Sequence, residues 1–432
     1  MSEPPAGLSR RRLITLLGAA ALAPVAAACA PSGGASGGGE VTDDGDKEFP
    51  FTSWAANEAV TKEPLAALVA RYAGANAGVK IETPSYPYND YLNQLLLQVR
   101  GGQLTGAMQL DVAWLATLAA TGKLADLGGV AQGVDYTAAA VALGQVDGKQ
   151  LALPWTQAGI GLISNSELLR RAGVTKNPAT VEEFEDALRA VKGLGGGIVP
   201  WAGMTKVDQL KDIIPWMWAF GSPIVDNGQI VIGDEPSVAA LTWYKKLYDE
   251  KLIAPDVNRV DARALMSQAK TAFYEDAISG KATVAKQSPD TAFGDKMVPV
   301  ARPVLAAGDK PRHLAWGQVV AVVGGSGSAA AAQFAKTITS DTAYSLEWFA
   351  KSGLPPTTKA GIADQGVQRD TFTVDFTRQI AANSSASPFW VYPQFAQMEK
   401  VLSTQVQAIL IGKQSPQEAL AEARSQLTAL MK

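Results

Sequence analysis

Beyond residue 48, short apolar runs alternate with longer stretches whose apolar residues recur at helical spacing. Residues 49–54 and 110–114 are typical of strands, whereas residues 63–73 and 90–100 are typical of amphipathic helices. Because strands that alternate with helices form sheets covered by helices, we predict an α/β fold. The length of 432 residues allows two or three domains.

The composition restricts the chemistry that the chain can perform. It contains one cysteine, Cys29, and one histidine, His313, so it cannot form an intrachain disulfide or the usual structural zinc sites. His313 stands beside Arg312 ahead of an apolar run, and we interpret it as a surface or loop-packing residue without a catalytic role. The formal net charge of −3, with dispersed lysines and arginines, does not suggest a nucleic-acid surface.

Two glycine-rich stretches do not have the spacing of a nucleotide site. Residues 193–198 lack the third glycine of a dinucleotide fingerprint, and residues 324–328 lack the lysine of a phosphate loop. We interpret both as loops and predict neither a cofactor nor a bound metal ion.

The N-terminus has the layout of an export signal. Three arginines at positions 10–12 precede a run of small and apolar residues that ends at Ala28, immediately before Cys29. This run is too short and too rich in alanine for a membrane span. We predict that residues 1–28 are an export signal.

Two motifs within this signal resemble known processing sites. Residues 9–14 (SRRRLI) resemble the twin-arginine (Tat) export motif, and residues 26–29 (AAAC) resemble the lipobox of bacterial lipoproteins. The second resemblance implies that Cys29 is acylated and anchors the protein to the outer side of the cell membrane. An ordinary secretory signal with an incidental cysteine is the alternative. Residues 29–47, rich in glycine, serine and aspartate, are predicted to be a flexible tether.

Nine of the ten tryptophans fall into two groups. Trp243 and Trp348 lie among apolar neighbours at helical spacing and are predicted core residues. Seven others lie where strands end or beside proline or glycine: Trp54, Trp114, Trp155, Trp201, Trp216, Trp316 and Trp390. Rings at such positions, with Tyr88, suit stacking on the apolar face of a sugar, although some of them could instead cover the core. Nearby carboxylates and amides suit its hydroxyl groups: Asn57, Glu58, Asp111, Gln157 and Asp290.

Several segments follow one another in the order seen in a known protein family. They are residues 88–91 (YNDY), 111–112 (DV), 122–127 (GKLADL), 148–154 (GKQLALP), 163–174 (ISNSELLRRAGV), 280–282 (GKA) and 415–420 (SPQEAL). In this order, the chain from about residue 48 resembles extracellular solute-binding proteins of ABC importers. The resemblance is to their carbohydrate-binding group, which includes maltose-binding protein. Residues 288–290 (SPD) replace the G-P-W of many relatives and suggest a polar contact from Asp290.

The resemblance implies a two-lobed periplasmic-binding-protein-like fold (type II) with a hinge and an interlobe cleft. Lobe 1 is expected to comprise residues 48–155 and about 315–350, and lobe 2 residues 158–310 and about 352–432. The implied ligand is a sugar or oligosaccharide, and the implied partner is a membrane permease that receives the ligand from a monomeric, non-enzymatic receptor. The residues expected to contact the ligand are Trp54, Asn57, Glu58, Tyr88, Asp111, Trp114, Trp155, Gln157, Trp216, Asp290, Trp316 and Trp390.

Two other functions fit parts of the sequence. A secreted glycosidase would use the same aromatic residues and a pair of carboxylates, without cysteine or histidine. A solute-binding protein for a glycerophosphodiester would need cations or backbone N–H groups for the phosphate, for which Lys206, Lys211 and Arg259 are available.

Overall fold

The computed structural model describes residues 39–431. The predicted export signal at residues 1–28, the predicted lipidation site Cys29 and the first part of the predicted tether lie outside the described residues. Within the described part, no helix is both long enough and apolar enough to cross a membrane.

Strands and helices alternate along the chain, as the sequence predicts. The strands are β1 (Glu48–Thr52), β2 (Lys80–Glu82), β3 (Ala107–Asp111), β4 (Gln145–Val146), β5 (Lys149–Gln150), β6 (Ala152–Asn165), β7 (Val199–Ala202), β8 (Val225–Asp226), β9 (Gln229–Ile230), β10 (Thr271–Asp276), β11 (Met297–Val300), β12 (His313–Val322) and β13 (Ser384–Ser385). Short 3-10 helices cover Trp54–Asn57, Val112–Trp114, Leu210–Ile213, Phe293–Lys296 and Ala381–Asn383.

The α-helices include the two that the apolar spacing predicts at residues 63–73 and 90–100. They are α1 (Lys62–Ala75), α2 (Tyr88–Arg100), α3 (Leu115–Ala119), α4 (Gly128–Ala131), α5 (Ala138–Leu143), α6 (Ser166–Arg171), α7 (Val181–Lys192), α8 (Ile214–Ala219), α9 (Glu235–Asp249), α10 (Arg259–Ser267), α11 (Gly280–Gln287), α12 (Ser328–Ser340), α13 (Thr342–Ser352), α14 (Lys359–Ala363), α15 (Gln365–Gln368), α16 (Thr371–Gln379), α17 (Phe395–Leu410) and α18 (Pro416–Leu430).

Two long strands, β6 and β12, run antiparallel and connect the two halves of the main sheet, whose strand order is β2-β1-β3-β12-β6-β10-β7. We call the half built on β1, β2 and β3 lobe 1, and the half built on β7, β10 and β11 lobe 2. β6 pairs with β12 in its first part and with β10 and β11 in its last part. Both lobes therefore share β6.

A β-bulge interrupts the pairing of these two strands. Gln318 pairs with Thr156, but the next residue, Val319, pairs with Pro154, so Trp155 is the extra residue. Proline has no N–H to donate to the ladder, which favours a bulge at this position. The Pro154 carbonyl instead accepts a hydrogen bond from Thr357 Oγ1 at 2.8 Å. The chain thus still contacts lobe 1 at residue 357, beyond the boundary expected near residue 350.

Apolar side chains form cores on both faces of the sheet, and several predicted site residues belong to them. Trp155 is 1% exposed and stacks on Trp348 with ring centroids 4.7 Å apart. Trp216 is fully buried, and its ring centroid lies 5.0 Å from that of Trp201 and 4.9 Å from that of Trp243. The core positions predicted for Trp243 and Trp348 are confirmed. The ligand contacts predicted for Trp155 and Trp216 are corrected, because neither ring has an exposed face.

The last part of the predicted tether is bound to lobe 1. Gly39 forms a β-bridge with Ala125, and Val41 forms one with Gly325. A Cβ atom at Gly324 would lie 2.8 Å from the Cα atom of Gly39, so this close approach requires glycine at position 324. Residues 39–47 are therefore a strap on lobe 1, which corrects the flexible tether expected there.

His313, the first residue of β12, is fully buried and not at the surface. The backbone N–H of Arg302 donates a hydrogen bond to its Nε2 at 3.4 Å. Burial, with the nearby charge of Arg302, lowers the pKa of His313 to about 3. The folded protein therefore holds this imidazole neutral.

We expect acidification to destabilise the protein through His313. The unfolded chain binds a proton near pH 6.5, whereas the folded chain binds it only near the lowered pKa of about 3. The contribution of neutral His313 to the free energy of unfolding is therefore fully present above pH 6.5. It is lost as the pH falls towards 3, because protons then bind the unfolded chain preferentially. Between pH 7.5 and 5 the loss is about 2 kcal/mol.

The measurement is the free energy of denaturant unfolding at both pH values for the wild type and His313→Gln, whose amide oxygen can replace Nε2 as an acceptor. Because His313 is the single histidine, the variant removes all histidine titration. An equal loss of stability in both proteins would contradict the assignment.

Candidate functional site

Asp111 is the centre of a group of aromatic side chains at the end of β3. It is 3% exposed, and its Oδ1 accepts a hydrogen bond from Ala113 N at 3.0 Å, which caps the 3-10 helix Val112–Trp114. Its Oδ2 accepts hydrogen bonds from Tyr88 OH at 2.8 Å and from Trp316 Nε1 at 3.1 Å. One carboxylate thus orients two rings that come from different elements.

The rings around Asp111 differ in exposure. Tyr88 is 39% exposed, whereas Trp54 and Trp114 are 2% and 8% exposed. The ring centroid of Tyr88 lies 5.0 Å from that of Trp114 and 5.5 Å from that of Trp54. Trp316 is half-buried. Tyr88 and Trp316 therefore present ring surface to a ligand, and the two buried tryptophans support them from behind.

Glu58 follows the 3-10 helix Trp54–Asn57 at one rim of lobe 1. Its neighbour Asn57 donates a hydrogen bond to Ser85 Oγ at 2.8 Å. Glu58 is exposed, and partial loss of hydration raises the pKa of its carboxyl group. The positive charge of Arg263 of lobe 2 partly offsets this shift.

An ion pair from lobe 2 faces Asp111. Lys211 Nζ lies 3.1 Å from Glu399 Oε2, and Trp390 Nε1 donates a hydrogen bond to Glu399 Oε1 at 2.9 Å. Burial alone would lower the pKa of Lys211, but the carboxylates of Glu399, Asp212 and Asp111 together raise it. Lys211 therefore lies among carboxylates from both lobes.

Two arginines of α10 continue this wall. Arg259 forms a hydrogen-bonded ion pair with Asp212 and donates to the Glu275 carbonyl at 3.0 Å. Arg263 binds Asp276 through both carboxylate oxygens, at 2.7 and 2.9 Å. Such two-point contacts fix the guanidinium group in one orientation.

The two walls form one polar cleft. Burial raises the pKa of Asp111, and the positive charge of Lys211 offsets part of this rise across the gap. Two hydrogen bonds join the lobes directly: Thr117 Oγ1 donates to the Pro393 carbonyl at 2.8 Å, and Lys286 Nζ donates to the Ala59 carbonyl at 3.2 Å. Rings, carboxylates and cations from both lobes thus line a space between them.

The structure brings most of the predicted contact residues together. Trp54, Tyr88, Asp111, Trp114 and Trp316 form the group on lobe 1. Trp390 lies on the opposite wall beside Glu399. Gln157 is half-buried on β6, where it pairs with Gly317 next to Trp316.

Asp290 forms its contacts outside the group of residues around Asp111. Its carboxylate lies 2.8 Å from Lys296, which also pairs with Glu167 of α6. Asp290 Oδ1 also accepts a hydrogen bond from Ala292 N at 2.9 Å, so this side chain stabilises a turn.

On the wall of lobe 2 the sequence predicted Trp390 but not the charged side chains beside it. Lys211 and Arg259 were named only as possible phosphate contacts, and Lys206 instead pairs with Asp261 at 2.7 Å. Glu399 was missed, although it stands on the apolar face of α17 with Met398 and Leu402. A charged residue on a buried helix face is the signal that could have found it.

Two other depressions lie on the outer surface, with volumes of about 500 and 410 Å³. The first lies on lobe 1 around Tyr136 and Lys149, and the second lies on lobe 2 around Ala254 and Leu265. Neither combines aromatic rings with paired charges, so the interlobe cleft is the better candidate site. Among residues 39–431, no group of three or more His, Cys, Asp or Glu residues could hold a metal ion.

The two lobes, the shared strands and the polar cleft define a two-lobed binding protein of the type II periplasmic class. Residues 67–373 match the family of bacterial extracellular solute-binding proteins. This match covers more than half of the chain, so the chain belongs to that family.

Three solved structures are similar to this chain over nearly their whole length. The GacH receptor of Streptomyces glaucescens GLA.O, solved unliganded and with acarbose or an acarbose homolog, has a TM-score of 0.80 and 21% identity, over 89% of this chain and 98% of that one. Maltose-bound MalE3 of T. maritima has a TM-score of 0.78 and 20% identity, over 89% and 99%. UgpB of Mycobacterium tuberculosis, in complex with glycerophosphocholine, has a TM-score of 0.77 and 14% identity, over 89% and 98%. At these identities the likeness establishes the fold and not the ligand.

We expect Asp111→Ala to lower the free energy of unfolding by about 1–3 kcal/mol, because it leaves Tyr88 OH and Trp316 N–H without their acceptor and removes a helix cap. Asp126→Ala is the matched control, since among residues 39–431 the exposed Asp126 accepts a hydrogen bond only from Gly128 N, at 2.9 Å. Denaturant unfolding of both variants is the measurement. Equal small losses would show that Asp111 does not hold the group together.

Proposed function

We propose that the protein is the extracellular receptor of an ABC importer and captures a sugar or oligosaccharide in the interlobe cleft. The observation that carries this proposal is the group around Asp111, where Tyr88 and Trp316 present ring surface beside a carboxylate that orients both. The acarbose and maltose complexes of two proteins with the same fold support the proposal.

The physical basis is the two-sided chemistry of a sugar ring. Its C–H face packs on an aromatic ring, and its hydroxyl groups exchange hydrogen bonds with charged and amide side chains. Tyr88 and Trp316 offer the first type of contact, and Lys211, Glu399 and Asn57 offer the second. Because these residues come from both lobes, a bound sugar favours the closed arrangement, by no more than its differential affinity for that state.

The state of Asp111 favours binding over catalysis. A glycosidase needs one carboxyl group that gives a proton and another that attacks or activates water. Both oxygens of Asp111 already accept hydrogen bonds, and both oxygens of Glu399 contact Trp390 or Lys211. We therefore propose a receptor without enzymatic activity, and release of reducing sugar during prolonged incubation with glucans or disaccharides would contradict it.

We further propose that the receptor acts as a monomer and passes its ligand to a membrane permease whose ATPase supplies the energy. The twin-arginine-like signal and the lipobox-like residues 26–29 support export and attachment to the membrane through Cys29.

Cys29→Ser is expected to abolish lipid attachment and to release the protein from the membrane fraction, because serine lacks the thiol that is acylated. Metabolic labelling with radioactive palmitate and cell fractionation measure both effects. A variant that stays labelled would overturn the assignment of the lipid to Cys29.

The binding proposal is tested by calorimetry against a panel of neutral mono-, di- and trisaccharides, with glycerophosphocholine for the phosphodiester alternative. For the sugar that binds, we expect Tyr88→Ala to weaken the affinity about fivefold, because a stacking contact contributes on the order of 1 kcal/mol. Tyr88→Phe keeps the ring and is expected to retain most of the affinity.

Leu97→Ala is the control on the same helix, because Leu97 is 66% exposed and truncation there removes a similar apolar surface. If Tyr88→Ala binds as tightly as Leu97→Ala, the ring of Tyr88 does not contact the ligand.

A further inference from the structure

We infer that the cleft selects its ligand by charge: it accepts uncharged or amine-bearing sugars and rejects ligands that carry phosphate or carboxylate groups. This inference concerns the same cleft and so rests on the proposed function. It goes further, because neither the family nor the fold specifies the charge of the ligand.

Three cations of the lobe 2 wall are already paired with carboxylates. Lys211 lies 3.1 Å from Glu399 Oε2, Arg259 is bound to Asp212, and Arg263 holds both oxygens of Asp276. Lone anions are held in proteins by cations and N–H groups that are free to contact them. Each of these three cations would have to leave a carboxylate partner before it could bind a ligand anion as an ion pair.

The carboxylates are in excess. Lobe 1 adds two further carboxylates, Asp111 and Glu58, and within residues 39–431 neither has a cation within ion-pair distance. With Glu399, Asp212 and Asp276, they make five negative groups against four positive ones, because Lys286, which donates to the Ala59 carbonyl, also lies between the lobes. A ligand anion would therefore meet net repulsion in a space where low hydration strengthens electrostatic forces.

Burial makes the exchange of partners unfavourable. The side chains of Glu399 and Asp212 are 9% and 3% exposed, so removing their cations would leave poorly hydrated charges without compensation. A neutral hydroxyl group avoids this cost, since it can accept from a remaining N–H of Lys211 and donate to Asp111 while the ion pairs stay intact. An ammonium group on a sugar would gain a favourable interaction with Asp111 or Glu58.

Neutralising one carboxylate should reverse the selectivity. Glu399→Gln keeps an oxygen that can accept from Trp390 but frees the ammonium group of Lys211. Asp212→Asn frees Arg259 in the same way and provides a second test if the first variant is unstable. Glu422→Gln is the matched control, because it removes one negative charge at an exposed position of α18.

The experiment is calorimetric titration at low salt with trigalacturonate and inorganic phosphate as anionic probes. We expect both probes to bind the wild type and Glu422→Gln too weakly to detect, and at least one of them to bind Glu399→Gln or Asp212→Asn at least tenfold more tightly. If both variants fold and neither binds an anionic probe more tightly than the wild type, the inference is overturned. Clear binding of either anion in the cleft of the wild type would also overturn it.

Parallel titration with maltotriose and the other neutral sugars keeps the two proposals distinguishable. If no neutral sugar binds but neutralised variants gain anion binding, the sugar proposal fails and the charge selectivity stands. If neutral and acidic sugars bind the wild type equally, the receptor proposal stands and the charge selectivity fails.

Discussion

The antiparallel pair of long strands, β6 and β12, is the constraint on which the rest of the structure depends. Each strand passes from one lobe to the other, so their hydrogen bonds fix where the cleft opens. Trp316 lies on β12 and Gln157 lies on β6 within this pairing, which places the cleft floor in the sheet itself. The bulge at Trp155 locally interrupts the ladder beside that floor. A rigid sheet with one irregular position can hold the site residues in register and still let the lobes move.

Burial and charge oppose each other throughout the cleft. Burial raises the pKa of Asp111 and would lower that of Lys211, yet each group supports the charge of the other across the gap. Arg263 acts in the same way on Glu58. These couplings weaken when the lobes separate and water fills the space between them. The charges of the two lobes therefore stabilise each other in this arrangement.

The sequence predicted the lobe 1 wall better than the lobe 2 wall, for a physical reason. Asp111 and Trp114 are close in sequence at the end of one strand, and Tyr88 starts a nearby helix, so local patterns were sufficient. Glu399 and Lys211 meet only through tertiary packing, which no local pattern records. Trp155 was placed wrongly because a position at a strand end does not determine which face of the sheet a ring joins. The α/β class followed from periodicity and the two lobes from the resemblance.

The strap at residues 39–47 gives the two lobes unequal roles. It holds the N-terminal end of the described chain on lobe 1, where Thr42 N donates a hydrogen bond to Ser328 Oγ at 2.7 Å. A membrane anchor upstream of the strap would therefore act on lobe 1 alone. Lobe 2, which carries the paired cations, is linked to lobe 1 through the shared strands and a few contacts such as that between Thr117 and Pro393. The strap thus ties the N-terminal end of the described chain to lobe 1, whereas lobe 2 is joined to lobe 1 through β6 and β12.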